Sequence, residues 1–125
     1  MSKLVLEAET YKILGACIKV HKKLGHTFSE RVYCEALAKA LTTAEIPFEQ
    51  DKKLDVFYEG TPLNTHCVAD FVCFDTIILD IKALGCIDQN IKLQVLKLLK
   101  STNLDIGYLV NFGERALTWK RYINT

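Results

Sequence analysis

No apolar run in the 125-residue chain approaches the ~20 consecutive residues that a helical membrane span needs. No secretory leader is expected either, because the opening Met-Ser-Lys-Leu-Val-Leu is short and soon followed by Glu7 and Glu9. Net charge is nearly absent: 16 Lys and Arg against 15 Asp and Glu leave +1. There is no global basic field, and nucleic-acid contact must rest on local clusters such as Lys19, Lys22 and Lys23, or Lys97 and Lys100. Also missing is any CxxC pair. The five cysteines, Cys17, Cys34, Cys67, Cys73 and Cys86, are odd in number and lie mostly in apolar periodic segments. Reduced core thiols are therefore expected rather than disulfides, zinc or thiol redox chemistry. His66 beside Cys67 does not revive zinc, since adjacent strand residues point to opposite faces. No repeat, linker or low-complexity segment divides the chain. One domain over 1–125 is expected, soluble and cytoplasmic, with no membrane partner.

What is present concentrates between Cys67 and Gly85. The runs Cys67 to Phe74 and Ile77 to Lys82 read as two strands of an antiparallel hairpin, almost wholly apolar except for Asp70, Asp80 and Lys82. Such strands are covered on both faces, where a charge must be paired or bound to a metal. The parity of the loop decides whether these charges meet. A two-residue turn at Asp75-Thr76 separates the aspartates onto opposite faces, but that dipeptide lacks the glycine which type I′ turns favour. A three-residue loop sets Asp70 across from either Asp80 or Lys82, with Lys82 on the Asp80 face. Two converging carboxylates suit a hard cation such as Mg2+, and a neighbouring ammonium can orient water or steady charge on phosphorus. The competing interpretation is a buried charge cluster, although one lysine cannot neutralise both acids.

The flanking segments supply a frame. Glu7 to Leu24 reads as an amphipathic helix ended by Gly25, burying Tyr11, Leu14, Cys17 or Ile18, His21 and Leu24. His21 falls on or beside that stripe, where a hydrogen-bonded core histidine is the commoner role. A second helix is expected from Thr27 to about Ala44, opened by a Thr27-x-x-Glu30 capping box and burying Val32, Tyr33, Ala36, Leu37, Ala40 and Leu41. The box is a sufficient structural reason for Glu30; the functional alternative aims its carboxylate at the same metal site. Lys52, Leu54, Val56 and Tyr58 alternate as a strand, and Glu59-Gly60-Thr61-Pro62 is turn chemistry. Asn90 is expected to cap a helix through Ser101 that buries Ile91, Val95, Leu98 and Leu99, with Gln94 at its border. Strands follow at Asp105 to Asn111 and Leu117 to Ile123. Helix, helix, three antiparallel strands, helix, strand, strand implies a mixed α/β sheet with one parallel pairing.

That order, with Asp70 and Asp80-Ile81-Lys82 on neighbouring strands, resembles the PD-(D/E)XK nuclease superfamily. More narrowly, V-H-K-K-L-G-H-T-F-S-E-R-V-Y-C-E-A-L from Val20, then I-P-F-E, A-D-F, L-D-I-K-A, Gln94, Leu99-Lys100 and L-V-N-F-G are similar to the small bacterial GxxExxY proteins within it. The resemblance implies a restriction-endonuclease-like αβββαβ core, a mixed sheet flanked by helices, and metal-dependent cleavage of DNA or RNA. It implies Asp70, Asp80 and Glu30 as metal acids for Mg2+ (or Mn2+), Lys82 as the catalytic lysine, and Gln94 as a helix glutamine at the site. Tyr33, His21 and Lys100 are the candidates for touching substrate. Thr27 replaces the motif glycine, Ala69 stands where the superfamily name has proline, and Leu98 stands where a tyrosine can follow Gln94. A nuclease fold kept as a non-catalytic interaction module, working through a partner or as a homodimer, is the alternative.

Overall fold

A computed structural model describes residues 6–124; residues 1–5, which carry most of the leader expectation, and residue 125 lie outside the description. The elements are α1 (Glu7–Leu24), α2 (Glu30–Thr43), β1 (Phe48–Tyr58), β2 (Thr61–Cys73), β3 (Ile77–Lys82), α3 (Gln89–Thr102), β4 (Ile106–Asn111) and β5 (Thr118–Ile123). The strands form one sheet in the order β1-β2-β3-β4-β5, antiparallel except for β3–β4, which α3 joins in parallel. This is the mixed α/β architecture expected of a restriction-endonuclease-like core. Among the described residues no helix is long and apolar enough to cross a membrane.

Helices α1 and α2 pack on one face of the sheet around Tyr33, Phe71, Ile81 and Phe112, while α3 packs on the other around Val72, Ile78, Val95, Leu99 and Leu109. β3 is central. Ile77, Leu79 and Ile81 are fully buried on the α1–α2 side and Ile78 on the α3 side, each such side chain contributing about 1.5–3 kcal/mol. Alternation along the strand then leaves Asp80 and Lys82 on the α3 face.

Several local expectations are corrected. In α1 the buried set is Ile13, Ala16, Cys17, Val20 and His21, whereas Tyr11 is 82% exposed. Both sides of that helix are apolar, and the Tyr108 hydroxyl bonds Thr10 Oγ1 at 3.1 Å, which fixes the turn of the helix that carries Tyr11 outward. α2 begins at Glu30 with Ser29 as its N-cap, so the Thr27 capping box does not form. α3 is capped by Asp88 rather than Asn90, the Asp88 Oδ1 accepting the Ile91 amide at 3.0 Å. The β1–β2 turn is Glu59-Gly60 alone, with φ 50° and 80°, and Thr61 and Pro62 already belong to β2. β1 and β2 form a long hairpin of which only Phe71–Cys73 pairs with β3. The rest projects past the sheet as a two-stranded arm.

Candidate active site

A loop sets the site. Phe74, Asp75 and Thr76 join β2 to β3, with Phe74 and Asp75 at φ 54° and 58° and the Thr76 amide donating to the Cys73 carbonyl at 3.1 Å. Cys73 therefore pairs with Ile77, Val72 with Ile78 and Phe71 with Leu79. One residue further, the same register puts Asp70 opposite Asp80, the first of the two outcomes open to a three-residue loop. There the ladder stops. A buried amide needs an acceptor, and Ile81 donates to Asp70 Oδ2 at 2.7 Å. Beyond this point β2 leaves with β1, while β3 stays beside β4 as far as Lys82–Asn111. The fork opens a gap, and the acids line it.

Glu30, Asp70, Asp80 and Lys82 share an open cleft of about 570 Å³, walled by Val56 and Cys67 of the arm and by Gln94, Lys97, Leu98 and Ser101 of α3. Lys82 Nζ lies 3.5 Å from Asp80 Oδ1, with the two side chains 22% and 16% exposed. Burial is the main force on Asp80 and raises its pKa to about 6; Lys82 pulls the other way, and the adjacent Asp70 carboxyl, within hydrogen-bond reach, pushes it up further. The Glu30 carboxyl is raised too, first by burial and then by Asp70, against the pull of Lys82. Three carboxylates thus face one ammonium from the strands and helix start. Cys34 feels the same cluster. Its thiol is pushed up to about 12 by burial and then by the charges of Asp70 and Glu30, which keeps it protonated and unreactive.

The residues expected at the site divide. Asp70, Asp80, Lys82, Glu30 and Gln94 converge on the cleft. Tyr33 does not: it is fully buried on the opposite side of the sheet, its hydroxyl donating to the Gly25 carbonyl at 2.6 Å and accepting from the Phe28 amide at 3.2 Å. His21 is buried near the end of α1, with Nε2 2.9 Å from the Glu114 carbonyl and its ring 6.1 Å from that of Phe112. Lys100 is exposed on α3 and does not line the cleft. None of the three lines the cleft: the first two face the α1–α2 layer and the third faces solvent on α3. Lys97, Leu98 and Ser101 line the cleft instead. They stand three, four and seven residues after Gln94, the spacing of one helix face, so the pattern was present in the sequence.

The strand end that carries Lys82 is held from β4. The Phe112 amide donates to the Lys82 carbonyl at 2.8 Å. Asn111, 1% exposed, accepts from the Leu84 and Gly113 amides at 2.9 and 3.1 Å. It donates to the Leu84 carbonyl at 2.9 Å and to Glu114 Oε2 at 2.8 Å, so the buried amide is fully satisfied. Gly113 is required by proximity, since a methyl group there would run into the Ala83 and Leu84 backbone. The L-V-N-F-G segment is thus the brace behind Lys82.

Among the described residues no group of three or more His, Cys, Asp or Glu side chains is placed to hold a metal ion by itself. Two carboxylates at the fork are the candidate donors, and Mg2+ is commonly held by one or two carboxylates with waters and substrate phosphate completing its shell. The carboxylates of Asp70 and Asp80 offer only oxygen donors to the cleft. A family model described as the PD-(D/E)XK nuclease superfamily matches residues 7–122. No curated protein and no solved structure gives a significant match.

Proposed function

Because the chain belongs to the PD-(D/E)XK nuclease superfamily, we propose that it is a metal-dependent phosphodiesterase acting on nucleic acid. In this reading it is a single cytoplasmic domain over residues 1–125, of the GxxExxY kind. The observation that carries the reading is the half-buried Asp70–Asp80 pair at the fork, with Lys82 3.5 Å from Asp80. Asp70 and Asp80 would hold Mg2+ or Mn2+, assisted by Glu30 from the start of α2. A cation held there would supply positive charge against the scissile phosphate. Lys82 orients the attacking water and faces the charge that develops on phosphorus. Water oxygen bonds to phosphorus as the ester P–O bond breaks; the attacking water gives up a proton to solvent, and the leaving oxygen takes one from solvent. Gln94 and Lys97, projecting from α3, contact the sugar-phosphate backbone and hold it over the acids.

Incubation with labelled single- and double-stranded DNA and RNA in Mn2+ tests this. Asp80→Asn is expected to lower cleavage by at least ~10²-fold, on the scale of losing a positioned catalytic group. It is a cleaner probe than Asp70→Ala, which also strips the Ile81 amide of its acceptor. Undiminished cleavage by Asp80→Asn sinks the mechanism. A second reading, a nuclease fold working as a non-catalytic interaction module through a partner or as a homodimer, is favoured by the exposed Tyr58, Leu63 and Val68 on the β1–β2 arm. Calorimetric titration with Mn2+ separates the two, since the module needs no cation.

A further inference from the structure

Glu30 is the one acid of the cleft that comes from neither β2 nor β3. It is the first residue of α2, whose first turn is closed by the Ser29 carbonyl, accepting from the Val32 and Tyr33 amides at 3.1 and 3.3 Å. The Ser29 hydroxyl reaches the Val32 amide only at 3.5 Å, and no capping box forms. A cap bond at that distance sits at the limit of a hydrogen bond. What remains is to hold that turn against α1 and the sheet.

Tyr33 is placed to do so. It lies one helical turn after Glu30, on the same side of α2. Its hydroxyl donates to the carbonyl of Gly25, the residue that ends α1, at 2.6 Å, and accepts from the amide of Phe28, next to the Ser29 cap, at 3.2 Å. One phenol therefore ties the end of α1 to the start of α2. Its ring stacks on Phe112 with centroids 4.8 Å apart and planes 17° from parallel. Phe112 is fully buried, and its own amide donates to the Lys82 carbonyl at 2.8 Å. A continuous run of contacts thus leads from Lys82 through Phe112 and Tyr33 to the α2 start, joining residues that arrive at the cleft from different layers.

We infer that Tyr33 is a positioning residue, which uses the Phe112 ring as a fixed reference to hold the Glu30 carboxylate against the Asp70–Asp80 pair. The inference rests on the metal site proposed above. It also accounts for the Glu30-x-x-Tyr33 spacing: one residue reaches the cleft, and the other locks the turn that aims it.

The test is Mn2+ titration by isothermal calorimetry of the wild type, Tyr33→Phe, Glu30→Gln and the double variant, each first shown to be folded by circular dichroism. Tyr33→Phe keeps the stacked ring and removes only the hydroxyl. It is expected to weaken Mn2+ binding by roughly tenfold, the lower end of what losing a supporting partner costs a metal site. The same loss is expected in Glu30→Gln, and the double variant should be no weaker than Glu30→Gln alone. Phe112→Leu, which removes the stacking surface but leaves the hydroxyl and the Lys82 peptide bond, should reproduce the effect if Tyr33→Phe does not fold. Unchanged affinity in a folded Tyr33→Phe, or losses that add in the double variant, overturn the positioning role. Unchanged affinity in Glu30→Gln overturns it too while leaving the aspartate pair standing. A wild type that binds no Mn2+ overturns both this inference and the metal-dependent reading.

Discussion

Asp80 carries the sharpest conflict between stability and site. Its carboxyl is raised from 3.8 to about 6, chiefly by burial, so the folded state holds its proton more tightly than the unfolded chain. The sign follows from linkage: the cost is absent below pH 3.8, grows as pH rises, and is complete above about 6. Two units correspond to about 3 kcal/mol at most, at about 1.4 kcal/mol per unit. Metal-free Asp80→Asn is therefore expected to melt several degrees above the wild type at pH 7.5, with most of the difference gone at pH 4. Added Mn2+ should reverse the order at pH 7.5, because a cation that binds only the folded wild type stabilises it by mass action. Thermal denaturation at the two pH values, with and without Mn2+, checks both halves. A wild type more stable than the variant at pH 7.5 without metal contradicts the buried-charge account.

Among the elements, the β2–β3 loop does most to decide what the sheet can do. Phe74 and Asp75 both occupy the left-handed region, at φ 54° and 58°. Phe74 keeps a side chain packed against the core, whereas Asp75 is exposed and gains nothing from its Cβ there. Asp75→Gly should thus stabilise the protein by about 0.5–1 kcal/mol, by relieving left-handed strain that falls on residues with a Cβ. Cleavage should be unchanged, and chemical denaturation followed beside an activity assay measures both. The three-residue length of this loop was legible because Asp75-Thr76 lacks the glycine of a two-residue turn, and the facing aspartates follow from that parity. Helix starts were less legible. Thr27-Phe-Ser-Glu30 offers two competing caps, and the Tyr33 hydroxyl settles the choice by taking the Phe28 amide, a contact that depends on where Gly25 lies in space. The side of α1 that is buried was equally undetermined, since Tyr11, Leu14 and Ile18 compete with Ile13, Cys17 and Val20 until Tyr108 engages Thr10. Tyr33 and His21 lie away from the cleft for a related reason: residue type was visible in the sequence, but the side of the sheet was not.

At the level of the whole molecule, a net charge of +1 leaves little long-range attraction for a polyanion. Within the cleft, Glu30, Asp70 and Asp80 outnumber Lys82 and Lys97, so without a cation the site itself repels phosphate. Nucleic-acid binding should consequently depend on divalent metal and on very few lysines, in contrast to a protein whose surface is broadly basic. Lys97 is the decisive case, because it lines the cleft on α3 whereas Lys100, three residues on, does not. Each phosphate contact contributes about 0.7–0.9 to the slope of log affinity against log salt. In a Lys82→Ala background, which keeps the acids and removes the amine proposed to orient water, Lys97→Ala should lower that slope by nearly one unit and weaken all sequences alike. Lys100→Ala should leave it unchanged. Fluorescence anisotropy of a labelled oligonucleotide in Mn2+, from 50 to 200 mM salt, gives the slopes, and equal losses from the two lysines would place the strand over the outer surface of α3 instead of in the fork.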